Sequence, residues 1–576
     1  MKKIVLSLTA ILSASFLFSQ EALKSTEEEY YDFLSLQGIV ERPTLGYRTL
    51  SDSEWKFIEK EVDVVDEDGN PLTDEAGNKL TNLVMPDHPW QKNNLGTKRT
   101  LWQGKNQGKN CFTRGFDHSL KLKIYGPEWY NSFNTAAPYG QNDGALWQGK
   151  GYNSSLTGGA RLEAYGFELT LKPQVSFSQN LSFDYITPNY SGDNYAGKAE
   201  KYGYYGVTSV DAPQRFGDSA FWNYDWGDSE IRWTWKTFTT GFGTQAIWLG
   251  PARLNPIIHS NNAPSYPKFD IGLRKTAIYM PHFGWNLGDF EARAWWGILN
   301  ESDYFDNNNS NNNNLLSAIT VQYQLPHFKT LTIGLNYASL EKFNSFSFKQ
   351  LFTSMMPWNY GTSTTRGNWD SDKRMSFNID YISTKIGFET YLEWGINDHP
   401  SSILKFFHYP FHTSAYTLGF IKTINITNNL KGEIIIELSN LESSNDYGRT
   451  VKWSSSFYTH DQITQGYTNK GQWLGAGIGT GGNSQYLGFK LYYPKGTSSI
   501  YLQRRNQDLD YNWFVANEQL SQIIIGASTT NFLNRNFYGY LTLNGVIMNS
   551  EDTNGGPDND TGSFNLLVQL GLKYNL

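Results

Sequence analysis

Hydrophobic and polar residues alternate along most of this chain, from about residue 117 to its last residue. In residues 230–236, Glu, Arg, Thr and Lys alternate with Ile, Trp and Trp, and the same period of two runs through 376–381 and 487–493. Because successive side chains of a β-strand point to opposite faces, each segment has one apolar and one polar face. We count roughly eighteen such segments of about 8–14 residues, separated by turn-rich stretches, which predicts an all-β chain.

Stacked soluble sandwiches and a closed membrane barrel both produce this alternation. Here the apolar faces are rich in Trp, Tyr and Phe near the segment ends, as in the aromatic girdles of membrane barrels. The polar faces carry charges of both signs, such as Glu230, Arg232 and Asp380, which would each cost several kcal/mol in a dry core. The last segment, Phe564 to Leu576, stays amphipathic to the final residue, as in a strand that closes a barrel. We therefore predict an outer-membrane antiparallel β-barrel of about eighteen strands with a small N-terminal helical segment on its periplasmic side.

Residues 1–20 have the pattern of a secretory signal peptide. Lys2 and Lys3 precede an apolar stretch from Ile4 to Phe18, and small or polar residues follow at Ser19 and Gln20. The alternative is a buried N-terminal helix, but the stretch leads directly into an acidic one. We predict export, with the mature chain beginning near residue 21.

Residues 21–110 are predicted to form a helical periplasmic segment, and residues 111–576 the barrel. Glu21–Leu36 has apolar residues at helical spacing and Gly38 as a C-cap, and a second helix is predicted from Ser51, where Glu54 completes a capping box.

An acidic tandem repeat at 66–81 lies within this segment and partly resembles an EF-hand calcium loop. Val64 occupies the first ligand position, so two glycine-centred turns are the favoured interpretation. Long loops are predicted between several strands, and the Asn-rich run at 306–314 is predicted to be a flexible polar link.

Composition removes several other classes of protein. Aromatic residues make up 16% of the 576 residues and charged residues 18%. The mean hydropathy is −0.51, and no run after residue 20 approaches the ~20 apolar residues that a membrane helix needs. The net charge of −7 gives no basic stripe for nucleic acid, so no nucleic-acid partner is expected. The single cysteine, Cys111, cannot form an internal disulfide.

Five stretches resemble the capsule assembly protein Wzi family: Gly38–Pro43, Tyr47–Trp55, Gly241–Pro251, His259–Pro264 and Gly466–Gly475. Their order along a signal-bearing barrel makes the combination more specific than any one of them. The resemblance implies an eighteen-stranded outer-membrane barrel with an N-terminal helical bundle on the periplasmic side. It also implies a lectin-like role in which the protein holds capsular or related polysaccharide at the cell surface.

Polysaccharide recognition needs flat aromatic faces, planar polar groups and, for an acidic glycan, cations that can pair with carboxylates. Three stretches of the chain supply such groups. Each group also has an alternative interpretation. Gly250-Pro251 and Asn261-Asn262 would only shape a turn or an inward-folded loop. Trp248 would belong to an aromatic girdle, and Arg505 would balance a carboxylate in the lumen. The predicted ligand-binding residues are Trp248, Arg253, His259, Asn261, Asn262, Tyr467, Lys470, Trp473, Arg504 and Arg505.

Three functions are compatible with the sequence: a non-catalytic barrel that anchors surface polysaccharide, a porin-like channel for small solutes, and a barrel hydrolase. We favour the first. Ser260 beside His259 is no triad, because adjacent strand positions face apart, and no HExxH motif is present; a carboxylate pair of the glycosidase type need not be close in sequence. The expected partners are surface polysaccharide and outer-membrane lipid. We expect no cofactor and no metal site, and we expect a monomer.

Overall fold

The computed structural model describes most of the chain from residue 26 onward. The described residues are 26–49, 56–58, 60–65, 71–73, 80–84, 102–105, 119–184, 210–280, 282–306, 308, 311–326, 328, 330–343, 345–356, 371–397, 413–442, 457–460, 462–507, 518–534, 536–552 and 561–574. The predicted signal peptide and Cys111 lie outside this part of the chain.

The described residues form two helices and twenty-nine strands. The helices are α1 (Thr26–Leu36) and α2 (Phe348–Thr353). The strands before the barrel are β1 (Val40–Glu41), β2 (Tyr47–Thr49), β3 (Lys56–Phe57), β4 (Lys60–Asp63), β5 (Thr81–Val84) and β6 (Trp102–Lys105). The later strands are β7 (Ser119–Asn134), β8 (Gly151–Ala164), β9 (Phe167–Leu171), β10 (Gln174–Ser178), β11 (Phe221–Asp225), β12 (Glu230–Trp235), β13 (Phe238–Gly243), β14 (Ile247–Leu249), β15 (Lys268–Tyr279), β16 (Asn286–Asn300), β17 (Asn313–Gln324), β18 (Leu331–Lys342), β19 (Ser371–Ser383), β20 (Phe388–Asn397), β21 (Ser414–Asn425), β22 (Lys431–Asn440), β23 (Thr468–Asn469), β24 (Gln472–Trp473), β25 (Asn483–Tyr493), β26 (Gly496–Asn506), β27 (Glu518–Phe532), β28 (Phe537–Asp552) and β29 (Thr561–Tyr574).

Eighteen strand positions close into one antiparallel ring. Strands β9 and β10 pair with successive parts of β8 and share one position, and β11 and β12 share the next. The ring closes where β29 pairs with β7, which places Val568 opposite Phe133. Strand β6 also pairs with β7, beyond the end of this seam. The predicted fold class and closure by the final strand are confirmed.

The wall of the barrel has its apolar side outward and its charged side inward. Ile231 is 52% exposed, whereas its neighbours Glu230 and Arg232 are buried. The inward guanidinium of Arg232 lies 2.6 Å from a carboxylate oxygen of Asp270 and 3.0 Å from one of Glu230. Because these charges are paired, none of the three is left as an isolated buried ion, which would be costly.

The two ends of the barrel differ in their connections. Two-residue turns join β8 to β9, β12 to β13 and β25 to β26, whereas the opposite end carries the long segments 135–150, 244–267 and 441–482. Because such barrels have short periplasmic turns and longer extracellular loops, the long segments mark the extracellular end. Neither described helix is long and apolar enough to cross a membrane.

The N-terminal segment docks inside the barrel at its periplasmic end. Gly38 follows α1 with φ of +68°, as expected of a C-cap. The rings of Tyr30 and Phe33 pack on Tyr492, with centroids 5.5 and 4.5 Å away. The second helix predicted from Ser51 is wrong over its described part, because residues 56–57 form β3 and pair with β1. A short helix without tertiary packing is only marginally stable, so a capping box does not by itself secure one here.

Two further sequence predictions have a partial outcome. The acidic repeat is flanked by β4 and β5, which pair as an antiparallel hairpin, but the centres of its two turns lie outside the described residues. The Asn-rich run is not a link along its whole length, because Asn313 and Asn314 begin β17. The side chain of Asn311 donates hydrogen bonds to Glu301 and Asp306, which fixes this end of the run.

Candidate functional site

The loop 244–267, between β13 and β15, folds inward and meets the N-terminal segment in the lumen. Its strand β14 pairs with β2, so that Trp248 lies opposite Arg48. The side chains of Ile247, Leu249, Ile257 and Ile258 are fully buried. We call residues 26–49 and 244–267 together the plug, because they fill the barrel as one packed body.

Charged groups fasten the plug to the wall. Glu389 on β20 accepts two hydrogen bonds from the guanidinium of Arg42, at 2.8 and 3.0 Å, and one from Arg253 at 2.7 Å. Arg253 also pairs with Asp32 of α1. Burial alone would raise the pKa of Asp32, but Arg253, Arg48 and Arg42 hold it well below its ordinary value. The predicted ligand residue Arg253 is therefore engaged in these ion pairs, which we call the latch.

A second wall carboxylate, Glu437 on β22, receives the backbone of the same loop. Its oxygens accept the N–H groups of Arg253, Leu254 and Asn255 at 2.6, 3.0 and 2.8 Å. Charge-assisted bonds of this kind are stronger than neutral ones. They hold the tip of the loop deep in the barrel.

Two other predicted ligand residues are packed within the plug. Trp248 is 2% exposed, and its indole Nε1 donates to the carbonyl oxygen of Ala252 at 2.9 Å. His259 places Nδ1 3.0 Å from the carbonyl oxygen of Ile247 and Nε2 2.8 Å from the hydroxyl of Tyr266. Burial, with a smaller effect of Lys268, lowers the pKa of His259 to about 3, so the imidazole is neutral at physiological pH. Both side chains stabilise the fold of the loop.

The segment 457–482 covers the plug from the extracellular side. The hydroxyl of Tyr458 donates to the carbonyl oxygen of Ile257 at 2.6 Å and accepts the N–H of Ala476 at 2.9 Å. The ring of Tyr467 stacks on Tyr458 with centroids 5.7 Å apart, and the guanidinium of Arg374 lies 4.5 Å from its centre. Tyr467 is thus a core residue of this cover.

A cavity of about 1070 Å³ opens at the extracellular mouth. It lies between the segment 135–150, the residues 471–478 and the upper ends of β26 to β29. The aromatic and amide side chains among its lining residues are Tyr139, Trp147, Phe183, Trp473, Gln141, Gln148, Gln214, Asn262, Gln472, Gln507 and Gln522. This combination of flat apolar faces and planar hydrogen-bonding groups is suited to a polar ligand with apolar patches.

The segment 135–150 is held over the mouth by amide groups. The side-chain Nδ2 of Asn134 donates to the carbonyl oxygens of Tyr139 and Gln148, both at 3.1 Å. Gln148 in turn donates to Asp143 at 3.1 Å. Burial raises the pKa of Asp143 to about 6. Fixed in this way, Tyr139 and Gln148 face the cavity from one side.

Three of the predicted residues line this cavity: Asn262, Trp473 and Arg505. The side chain of Asn262 donates to the backbone oxygen of Trp473 at 3.3 Å, which joins the plug to the cover. The guanidinium of Arg505 lies 5.7 Å from the ring centre of Tyr139. Lys470 stands at the turn between β23 and β24, next to the lining residue Gly471.

The remaining two predicted residues lie elsewhere. Asn261 borders a second, deeper cavity of about 470 Å³, between the plug and the wall strands β25 to β29. Arg504 is on the outer face of β26, where its guanidinium donates to the side chains of Asn483 and Gln485, each at 2.9 Å. Because adjacent strand residues face apart, Arg504 and Arg505 cannot serve one site.

The sequence-based prediction missed the segment 135–150, which contributes Tyr139, Trp147 and Gln148. A signal was available, since Trp147 stands in a turn-prone stretch, with three glycines and one proline, between two amphipathic strands. Loops on a rigid scaffold often carry binding residues, so a tryptophan in a loop of this kind is a candidate.

Comparisons with known proteins give one family and several barrels. A family model described as capsule assembly protein Wzi matches residues 139–551. The solved outer-membrane protein Wzi of Escherichia coli, described as involved in group 1 capsule assembly and as a carbohydrate-binding β-barrel, is 11% identical with a TM-score of 0.51 and covers 79% of this chain and 85% of its own. OpdK of Pseudomonas aeruginosa, solved with vanillate, is 9% identical with a TM-score of 0.38, over 80% of this chain and 100% of its own. Curated protein sequences give no significant match.

Proposed function

The chain belongs to the capsule assembly protein Wzi family and is an outer-membrane β-barrel, and from this premise we propose that it binds surface polysaccharide non-covalently at its extracellular mouth. In this role it helps to assemble or anchor capsule or exopolysaccharide at the cell surface. Its partner is a glycan chain, and it performs no chemistry on that chain.

The observation that carries the proposal is the cavity at the mouth. Its volume of about 1070 Å³ is slightly above the ~300–1,000 Å³ typical of small-molecule sites, which suits a short length of a polymer. Trp147 and Trp473 offer apolar faces for the C–H patches of sugars, and Asn262 and Gln472 offer amides for hydroxyl groups. Arg505 adds a cation that can pair with a carboxylate of an acidic sugar.

The contacts of Ser260 and His259 favour binding over hydrolysis. The hydroxyl of Ser260 donates to the carbonyl oxygen of Gly475 at 2.5 Å, and the imidazole of His259 reaches Tyr266 and backbone oxygens. A nucleophile needs its base within hydrogen-bond reach, and this hydroxyl is directed elsewhere.

The plug favours binding over a porin-like channel. The latch and the pairing of β14 with β2 hold a packed body across the lumen, where a solute would have to pass. We therefore expect the intact protein to give little conductance in a planar bilayer.

The test is a binding measurement with the purified protein in detergent and the surface polysaccharide of the same organism. The variant Trp473→Ala removes a cavity wall, and Trp222→Ala is the matched control, because that indole is 73% exposed on the outer face of the wall. We expect Trp473→Ala to weaken binding and Trp222→Ala to leave it unchanged. A deletion strain should shed capsule that the wild type retains; retention equal to the wild type would contradict the proposal.

A further inference from the structure

Helix α2 lies in the extracellular connection between β18 and β19, and it is bound to the wall by side chains of three strands. The indole of Trp296 on β16 donates to the carbonyl oxygen of Leu351 at 2.9 Å. The hydroxyl of Tyr337 on β18 donates to the carbonyl oxygen of Ser354 at 3.1 Å. The hydroxyl of Ser354 reaches that of Ser317 on β17 at 2.7 Å. This end of the connection is therefore docked on the barrel.

The docking is on the outer face of the wall. On β16 the lumen-facing residues are Glu291, Arg293 and Trp295, so Trp296 faces outward. On β18 the outward positions include Ile333 and Leu335, which are 42% and 38% exposed, and Tyr337 continues that row. Helix α2 thus covers part of the apolar belt near its extracellular edge, where Tyr337 is only 4% exposed.

The side of this segment that faces away from the wall is aromatic. Phe346 is 62% exposed, Phe348 71% and Phe352 66%, and Met356 is 42% exposed. The rings of Phe346 and Phe348 pack edge to face with centroids 4.9 Å apart. Large apolar side chains so clustered mark an interaction surface rather than an ordinary solvated loop.

We propose that α2 lies flat in the outer leaflet of the membrane and packs these side chains on lipid acyl chains. The occupant follows from position, because the surface is continuous with the lipid-facing belt of β16 to β18. Lys349, exposed beside Phe348, can extend its ammonium group toward the head groups while its stem stays apolar. The segment is thus an interfacial membrane anchor beside the barrel.

The experiment uses a spin label in proteoliposomes made from outer-membrane lipids. In a Cys111→Ser background, Phe352→Cys is labelled with a nitroxide, and its collisions with oxygen and with a water-soluble nickel chelate are compared. Ile500→Cys is the lipid-facing reference, since that side chain is 63% exposed on the outer face of β26. Asp303→Cys, exposed in the extracellular loop after β16, is the water-facing reference.

We expect the label at 352 to collide more with oxygen than with nickel, as at 500 and unlike 303. A nickel accessibility equal to that at 303 would overturn the proposal, because it would place the aromatic side in water, free for a glycan. Low accessibility to both reagents would overturn it as well, because it would indicate a protein neighbour such as a second copy. Each variant is first tested for resistance to unfolding in detergent at low temperature, and only variants that resist as the wild type does are labelled.

Discussion

The latch predicts that one neutral substitution in the wall unfastens the plug. Glu389 is fully buried and accepts three hydrogen bonds from the guanidinium groups of Arg42 and Arg253. Replacing it with glutamine keeps the shape, removes the charge and leaves two buried cations with fewer partners. Removing one member of a buried pair typically costs about 3–5 kcal/mol.

That free energy appears as a change in the population of the displaced plug. At ~1.4 kcal/mol per factor of ten, the ratio of displaced to seated plug rises by a factor of about 100 to 4,000 in Glu389→Gln. We expect brief open events in single-channel recordings from planar bilayers, with a time-averaged conductance at least about a hundredfold above the wild type.

The matched control is Glu163→Gln. Glu163 pairs with Arg161 at 3.1 Å and with Lys123 at 3.5 Å, all within the adjacent wall strands β7 and β8 and none in the plug. This variant should keep the conductance of the wild type. If Glu389→Gln folds as a barrel and its conductance also stays at the level of the wild type, the ion pairs do not hold the plug, and the reasoning is refuted.

Three further predictions concern the mouth. Trp473→Ala is expected to weaken polysaccharide binding by about tenfold or more, as for a central tryptophan of an interface, and Trp222→Ala to leave it unchanged in the same titration calorimetry; equal losses would contradict the site. If the glycan is acidic, Arg505→Ala should reduce affinity about tenfold and flatten its salt dependence, whereas the outward-facing neighbour Arg504→Ala should change neither. Burial raises the pKa of Asp143 to about 6 from the ~3.9 of an unfolded chain, so stability is highest below both values and falls as the pH rises through about 6. Asp143→Asn should therefore raise the free energy of unfolding by up to about 3 kcal/mol near pH 8 and leave it unchanged near pH 3; a difference independent of pH in urea titrations would refute the cause.

The barrel could be predicted from the sequence because its information is local. The alternation of Glu230 and Arg232 with Ile231 already assigns each strand an inner and an outer face, and the amphipathic end from Phe564 onward indicates how the ring closes. The capping box at Ser51 was misleading because a cap only favours a helix, and a nearby strand partner in β1 outweighs it.

The plug could not be predicted from the sequence, because the contacts that form it join residues far apart along the chain. Arg253 looks the same in a loop that binds a ligand as in one that is clamped inside the barrel. Its partners Asp32 and Glu389 are distant along the chain, and spacing gives no hint that they converge. Of the predicted residues that do line the mouth, Asn262 belongs to the plug, Trp473 to its cover and Arg505 to the wall strand β26.

The hydrogen bond from Asn262 to the backbone of Trp473 has a mechanical consequence. A polymer held at Trp473 and dragged by flow outside the cell would load two routes to the wall: the chain that joins Trp473 to β25, and this hydrogen bond, which leads through loop 244–267 to the carboxylates of Glu389 and Glu437. The load would thus be spread over a ring of paired strands embedded in the bilayer, and no single surface loop would have to bear it.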